Sequence, residues 1–334
     1  MKKSVLIPLS EPEIDFVSIV APLTKEWLQR AKLRNAESAY TAITAAFEAA
    51  IKSKKINFKG RPAKRTWYSQ PRYRRFHRIP IPNGGWLTIG IRPLEGAPDS
   101  IFFEFAPQIP ENFLLALLPI CSRTLPMELW KTLLLNAKVT RIDVAVDAPD
   151  VYLGDYIWSA SHARNVQCYR TNGFLQGIEL GSRKSEYQRA IYDSVCRNYG
   201  NNSWTPESGY SLRVEWRTMK GLTSSDILSA NLKLDAVYAY HAKQVRNALL
   251  QAIRRKGQPP AVDPYTLIYE LGRGGVPAAM AALRQADGPT YRRAKRALEP
   301  LKICVADPDR LSKRVDELLD SIRVFTGQQP LSVD

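Results

Sequence analysis

The tightest constraint in this chain is a pair of short segments that alternate charged and apolar residues. In Arg141-Ile142-Asp143-Val144-Ala145-Val146-Asp147, an extended backbone puts Arg141, Asp143, Ala145 and Asp147 on one side and Ile142, Val144 and Val146 on the other. Residues 211–218 repeat the pattern, with Arg213, Glu215 and Arg217 on one side and Leu212, Val214 and Trp216 on the other. Such alternation belongs to a largely antiparallel sheet with one apolar face. The charged face either marks the solvated side of that sheet or, where carboxylates gather, offers oxygen ligands to a divalent cation. Glu104, set among Ile101, Phe102, Phe103 and Phe105, is a third carboxylate of this kind. It joins the same set or guards an edge strand against aggregation.

The rest of the pattern mixes strands and helices. Strands are predicted over residues 14–20, 86–91, 101–105, 174–180 and 188–195. Residues 25–52, free of Gly and Pro, predict one long helix or two, with Thr24 as N-cap. Further helices are predicted at 111–122 and 127–136. From residue 223 the period changes, and helices are predicted over 226–253, 277–285, 291–302 and 308–325, with Gly272-Arg273-Gly274-Gly275 as a turn. The expected fold is α+β, a mainly antiparallel sheet flanked by helices, with an α+β domain over residues 1–222 and a helical basic region over 223–334.

The 334 residues carry 48 Lys plus Arg against 32 Asp plus Glu, a net charge of +16. That balance favours a polyanionic partner. Between residues 51 and 94 stand twelve Lys or Arg and no acid, among them Lys64, Arg65, Arg72, Arg74 and Arg75, interleaved with Trp67, Tyr68, Tyr73, Phe76 and Trp86. Cations for phosphates and aromatic faces for bases suit single-stranded nucleic acid. The plainer reading is a solvated basic loop with some core aromatics.

Other classes fall away. No apolar run approaches the ~20 residues of a membrane span, and no secretion signal is read at the start. Four scattered cysteines, without a C-x-x-C pair, make neither a zinc ribbon nor a disulfide framework, so a cytosolic protein with reduced thiols is expected. No Gly is followed by Lys, which rules out a Walker A loop. The three histidines form no H-x-H pair.

Two features remain. Gly181-Ser182-Arg183-Lys184-Ser185 offers backbone N–H groups, hydroxyls and two cations to a phosphate. Tyr187, Tyr192 and Tyr199 follow closely. A tyrosine hydroxyl, with an ordinary pKa of ~10, needs a base or nearby cations before it can attack a phosphodiester. More often such a residue only packs.

In order, these pieces resemble the replication initiation factor family of filamentous phages and small rolling-circle plasmids. Residues 141–147 match its R-x-D-x-x-x-D strand, 180–185 its L-G-S-R-x-S turn, 189–193 its arginine–x–isoleucine–tyrosine–aspartate strand and 213–215 its R-x-E strand. The resemblance covers roughly residues 12–225. Ser194 stands where the family usually has Lys, and Glu179 where an aromatic is common. The resemblance implies a degenerate form of the histidine-hydrophobic-histidine nuclease fold, with carboxylates partly replacing the histidines. It implies an enzyme that nicks one strand at an origin and later rejoins it. Tyr192 would form a 5′-phosphotyrosyl link. Mg²⁺ or Mn²⁺ would be held by Asp143 and Glu215, assisted by Glu104 or Asp147. Arg183, Lys184 and Arg189 would hold the phosphate. DNA is the implied partner, with a host replication helicase and a second copy of the chain as further ones, in a bacterial cytoplasm. The helices after residue 223 would serve origin recognition or dimer contacts. A relaxase or transposase with the same tyrosine chemistry, or a DNA-binding regulator without catalysis, fits the same residues.

Overall fold

The computed structural model describes residues 7, 9–53, 73–80, 86–105, 116–135, 137–160, 166–171, 174–181, 187–195, 209–218, 222–223, 237–254 and 257–305. The chain is α+β, built largely on antiparallel strands with flanking helices and a helical C-terminal region. It divides into two units: Glu13–Val144 with Thr218–Leu232 and Arg314–Asp334, and Met1–Pro12 with Ala145–Arg217 and Lys233–Lys313. Among the described residues no helix is long and apolar enough to cross a membrane.

The first unit holds β1 (Glu13–Pro22), α1 (Lys25–Arg30), α2 (Ala36–Lys52), β2 (Tyr73–Pro80), β3 (Trp86–Pro93), β4 (Ser100–Phe105), α3 (Met127–Leu135) and the start of β5 (Lys138–Pro149). Its strands run in the order β2-β3-β4-β1-β5. Register puts Ile19, Phe103 and Ile89 side by side on β1, β4 and β3, and all three are buried. The neighbouring row on the other face is polar: Ser18, Glu104 and Thr88.

Of the one or two helices expected over residues 25–52, the structure has two. Thr24 caps α1 as expected, its hydroxyl accepting from the Trp27 N–H. Lys32 then turns with a positive φ of 55°, and Asn35 and Ser38 form a reciprocal cap that starts α2. Ala39, Tyr40, Ile43, Ala46, Phe47 and Ala50 recur at helical spacing and are buried. The Trp27 indole donates to the Leu129 carbonyl at 2.8 Å, tying α1 to α3.

In the second unit the latter part of β5, from Ala145, is followed by β6 (Tyr156–Ala160), β7 (Val166–Thr171), β8 (Phe174–Leu180), β9 (Tyr187–Asp193) and β10 (Ser211–Thr218). Their order in the sheet is β5-β10-β9-β8-β7. The two-residue β11 (Leu222–Thr223) returns to pair with the start of β5, within the first unit. A second, three-stranded sheet is formed by β6, β12 (Val237–His241) and β13 (Ile303–Cys304), with β12 in the middle. Three helices complete the unit: α4 (Ala242–Ile253), α5 (Pro264–Ala286) and α6 (Gly288–Leu298). Val245, Leu249, Leu267, Ala279, Leu283 and Ala294 form their common core.

One expectation for this region needs correction. The segment Val237–His241, expected inside a helix, is a strand. Val-Tyr-Ala-Tyr-His is aromatic and alternating, and it pairs on one side with β6, itself not foreseen. Gly272-Arg273-Gly274-Gly275, expected as a turn, holds the break of α5: Gly274 and Gly275 leave helical geometry, and the helix expected at 277–285 follows them. Gly275 has φ +68°, and a Cβ there would stand 3.3 Å from the Trp158 carbonyl oxygen, so glycine is required on both counts. The helix expected at 308–325 lies outside the described residues.

Candidate active site

The site is built on one face of the β7–β10 sheet. Tyr192 of β9 pairs with Gly177 of β8, which pairs with Tyr169 of β7. A Cβ on Gly177 would lie 3.5 Å from Tyr192 Cβ and 3.7 Å from Tyr169 Cδ2, so the glycine leaves a notch between the two tyrosines. Glu179 follows two residues later on the same face.

On β10, the charged alternation read from the sequence lies inside the protein. Glu215 is 1% and Arg217 5% exposed. The Tyr192 hydroxyl donates to Glu215 Oε1. Arg217 grips Glu215 Oε2 with two donors, Nε at 2.8 Å and Nη2 at 2.7 Å. Its Nη1 reaches Glu179 Oε1 at 3.4 Å, and Tyr169 Oη donates to Glu179 Oε2 at 2.9 Å. The result is a buried chain from tyrosine through carboxylate, guanidinium and carboxylate to a second tyrosine. Two carboxylates taken from water tolerate each other here because one guanidinium lies between them. Beside it, Arg213 holds Asp147 in a fork, at 2.8 Å and 2.6 Å.

In the first unit Arg141 holds Asp143 in a similar fork, with Nε at 2.8 Å from Oδ1 and Nη2 on Oδ2. Asp143 is 1% exposed, and the Arg141 guanidinium also lies over the Phe16 ring. Glu104 stands near this pair. Burial pushes its carboxyl above the ordinary range, and Asp143 adds to that; Arg141 and Arg78 pull the other way. Because β4 lies between β3 and β1, Glu104 is no edge guard.

These geometries bear on the expected cation. Asp143, Asp147 and Glu215 each give both oxygens to other side chains: three arginines and, for Glu215, Tyr192 as well. Among the described residues no three His, Cys, Asp or Glu side chains converge as a ligand set. In this arrangement the carboxylates do not fit a divalent metal. A cation would have to displace a guanidinium.

The remaining expected residues are scattered. Arg189 is buried on β9, three residues from Tyr192, and strand alternation sets it on the opposite face. The guanidiniums on Tyr192's own face come from Arg213 and Arg217 of β10. Arg183, Lys184, Lys64, Arg65, Trp67 and Arg72 lie outside the described residues. Arg74 and Arg75 sit on β2, where both are exposed and Arg75 pairs with Glu48 at 3.5 Å. The aromatics beside them pack: Tyr73 stacks on Phe102 at 5.5 Å, and Phe76 meets Phe102 edge-on at 6.4 Å. Sequence reasoning passed over Tyr169 and gave Glu179 no role. An acid between Ile178 and Leu180, like Glu104 in its own strand, was the available signal.

No protein-family model matches the chain, and no curated protein matches it. Among solved structures, a rolling circle replication initiator protein from Geobacillus stearothermophilus is similar at 12% identity and a TM-score of 0.30, over 66% of this chain and 78% of its own. A likeness this distant leaves the question of function to the side chains.

Proposed function

We propose that the chain is a DNA nicking and joining enzyme that initiates rolling-circle replication, with Tyr192 as nucleophile and Glu215 as its base. The observation that carries this reading is the hydrogen bond from the Tyr192 hydroxyl to a carboxylate fixed by Arg217. A phenol attacks a phosphodiester poorly until a base takes its proton, and a base already in hydrogen-bond contact meets the geometric requirement. Tyr192 Oη attacks the phosphorus as its proton passes to Glu215 Oε1. The bond from phosphorus to the 3′ oxygen breaks, and that oxygen leaves as a 3′-hydroxyl after taking a proton from solvent. The 5′-phosphate stays on Tyr192. In the joining step a 3′-hydroxyl gives its proton to solvent and attacks that phosphate, and Tyr192 leaves, recovering its proton from Glu215. Arg217 holds the carboxylate in line throughout. The phosphotyrosine conserves the bond energy, which accords with the lack of a Walker A loop.

The net charge of +16 supports DNA as the substrate, and the ordered motifs of residues 141–215 support a replication origin as the site of nicking. While the arginines hold the carboxylates, the chemistry above runs on the protein's own groups; dependence on Mg²⁺ or Mn²⁺ is read from the experiment.

Supercoiled DNA of the chain's own replicon is incubated with wild type, Tyr192→Phe and Glu215→Gln, each with Mn²⁺ and with a chelator. The expected result is open circles from wild type only. Equal nicking by Tyr192→Phe contradicts the assignment. Tight binding without nicking by wild type supports the non-catalytic regulator instead.

A further inference from the structure

On the face of β7 and β8 opposite Tyr192 lies a pocket of about 180 Å³ within the second unit. Its sheet wall comes from Val166, Cys168 and Arg170, alternate residues of β7, facing Ile178 and Leu175 of β8. A β-bulge makes this wall. The register shifts between Tyr169 and Arg170, so that Tyr169 pairs with Gly177 but Arg170 with Leu175. The shift brings Leu175 round to the side of Ile178. Tyr156 of β6 supplies aromatic surface, and Trp158, 2% exposed, backs the pocket from the core. Helix α5 closes the pocket with Ile268, Leu271, Gly272 and Gly275, one helical stripe interrupted by its own kink. Arg170 and Arg246 of α4 both line the pocket, and Arg246 has no ion pair or hydrogen bond among the described residues.

Pocket size and lining select the ligand class. Sites for whole cofactors or drug-sized molecules run from ~300 to ~1,000 Å³, so this one holds a single ring system. Apolar and aromatic walls suit the faces of a planar ring, and two guanidiniums suit a phosphate attached to it. We propose that this pocket binds one nucleotide of single-stranded DNA, its base against Tyr156 and its phosphate at Arg170 and Arg246. β7 ends the sheet, so a strand engaged at the Tyr192 face reaches this pocket by crossing that edge. The proposal shares with the function above only its substrate, DNA; it is independent of Tyr192 chemistry.

Gly272 gives a clean test. It is exposed and helical, and a Cβ there meets nothing within 4 Å, so Gly272→Leu fills the mouth of the pocket without backbone strain. Arg246→Gln, an exposed substitution, removes one cation and serves as a second variant should the first not fold. Binding of a fluorescein-labelled dT 12-mer is followed by anisotropy at fixed salt, with dTMP and octanoate as competitors. The expected result is binding five- to tenfold weaker in either variant, consistent with the loss of one stacked base, and displacement of the 12-mer by millimolar dTMP from wild type. Displacement by dTMP in wild type but not in Gly272→Leu assigns the nucleotide to this pocket. Unchanged 12-mer affinity in both variants overturns the proposal. So does competition by octanoate equal to that by dTMP, since the pocket would then read any anion with an apolar body. A chain that nicks no DNA but shows these losses keeps the pocket and loses the nicking; the reverse result separates them the other way.

Discussion

The Tyr192 hydroxyl donates to Glu215, a carboxylate 1% exposed and fastened from its other side by Arg217. This contact makes Tyr192 different from a tyrosine that merely packs. Its removal separates chemistry from stability. Tyr192→Phe is expected to abolish nicking while costing about 2 kcal/mol of folding stability, the worth of a hydrogen bond to a charged group. Denaturant unfolding and a nicking assay on the same preparation check both halves. A variant that unfolds outright contradicts the modest structural share assigned to the hydroxyl.

Arg217 carries more structural weight. It is the guanidinium between Glu215 and Glu179. Arg217→Met leaves two buried carboxylates facing each other, and a loss of about 3–5 kcal/mol is expected. Adding Glu215→Leu should recover part of that loss, although nicking stays absent. A double-mutant cycle on unfolding free energies checks the coupling. Additive losses would show that the pair does not act as a unit.

Arginine occupancy of the carboxylates makes a prediction for metals. Mg²⁺ at millimolar concentration is expected to leave the thermal midpoint of the free protein unchanged. A site saturated a hundredfold would add about 2.7 kcal/mol and raise the midpoint visibly. A rise lost in Asp143→Asn or Glu215→Gln would show that cations displace the arginines.

Two half-buried groups give opposite pH effects in the first unit. His77 stacks on Phe47 at 4.3 Å, and burial, with Arg75 nearby, lowers its pKa to about 4 from an ordinary 6.5. The fold therefore favours the neutral ring. The stability this gives is complete above pH ~6.5 and is lost as pH falls towards 4. Glu104 is shifted upward, chiefly by burial. Its contribution is complete at low pH, below the ordinary carboxylate range, and is lost as pH rises through its folded value. Glu104→Gln should thus stabilise the protein more at pH 7 than at pH 4, while His77→Phe should flatten the decline between pH 6.5 and 4. Thermal midpoints across that window check both.

The sequence made much of the architecture legible because its strongest signals were local. The alternation of residues 139–147 and 211–218 marked β5 and β10, and the cap at Thr24 marked the start of α1. What it hid was whatever depended on a distant partner. Val237–His241 looks helical beside α4 until β6 is there to pair with it. The glycines of α5, by contrast, read as a break in the sequence and form one, at Gly274 and Gly275. For the site, the charged faces were visible but their burial was not. Alternation with charge reads as a solvated face, and the pairing of Arg141 with Asp143, and of Arg217 with Glu215 and Glu179, lets the carboxylates Asp143, Glu179 and Glu215 lie inside. Tyr169 gave no sign at all, since its partner Glu179 lies ten residues away across a bulged pair of strands.

The most direct test is the covalent adduct itself. The protein is incubated with single-stranded DNA spanning the origin of its own replicon, digested with protease and nuclease, and any nucleotide-bearing peptide is mapped by mass spectrometry. The account predicts a 5′-linked nucleotide on Tyr192, absent in Tyr192→Phe and strongly reduced in Glu215→Gln. An adduct on Tyr187, Tyr199 or Tyr169, with Tyr192 unmodified, would contradict it.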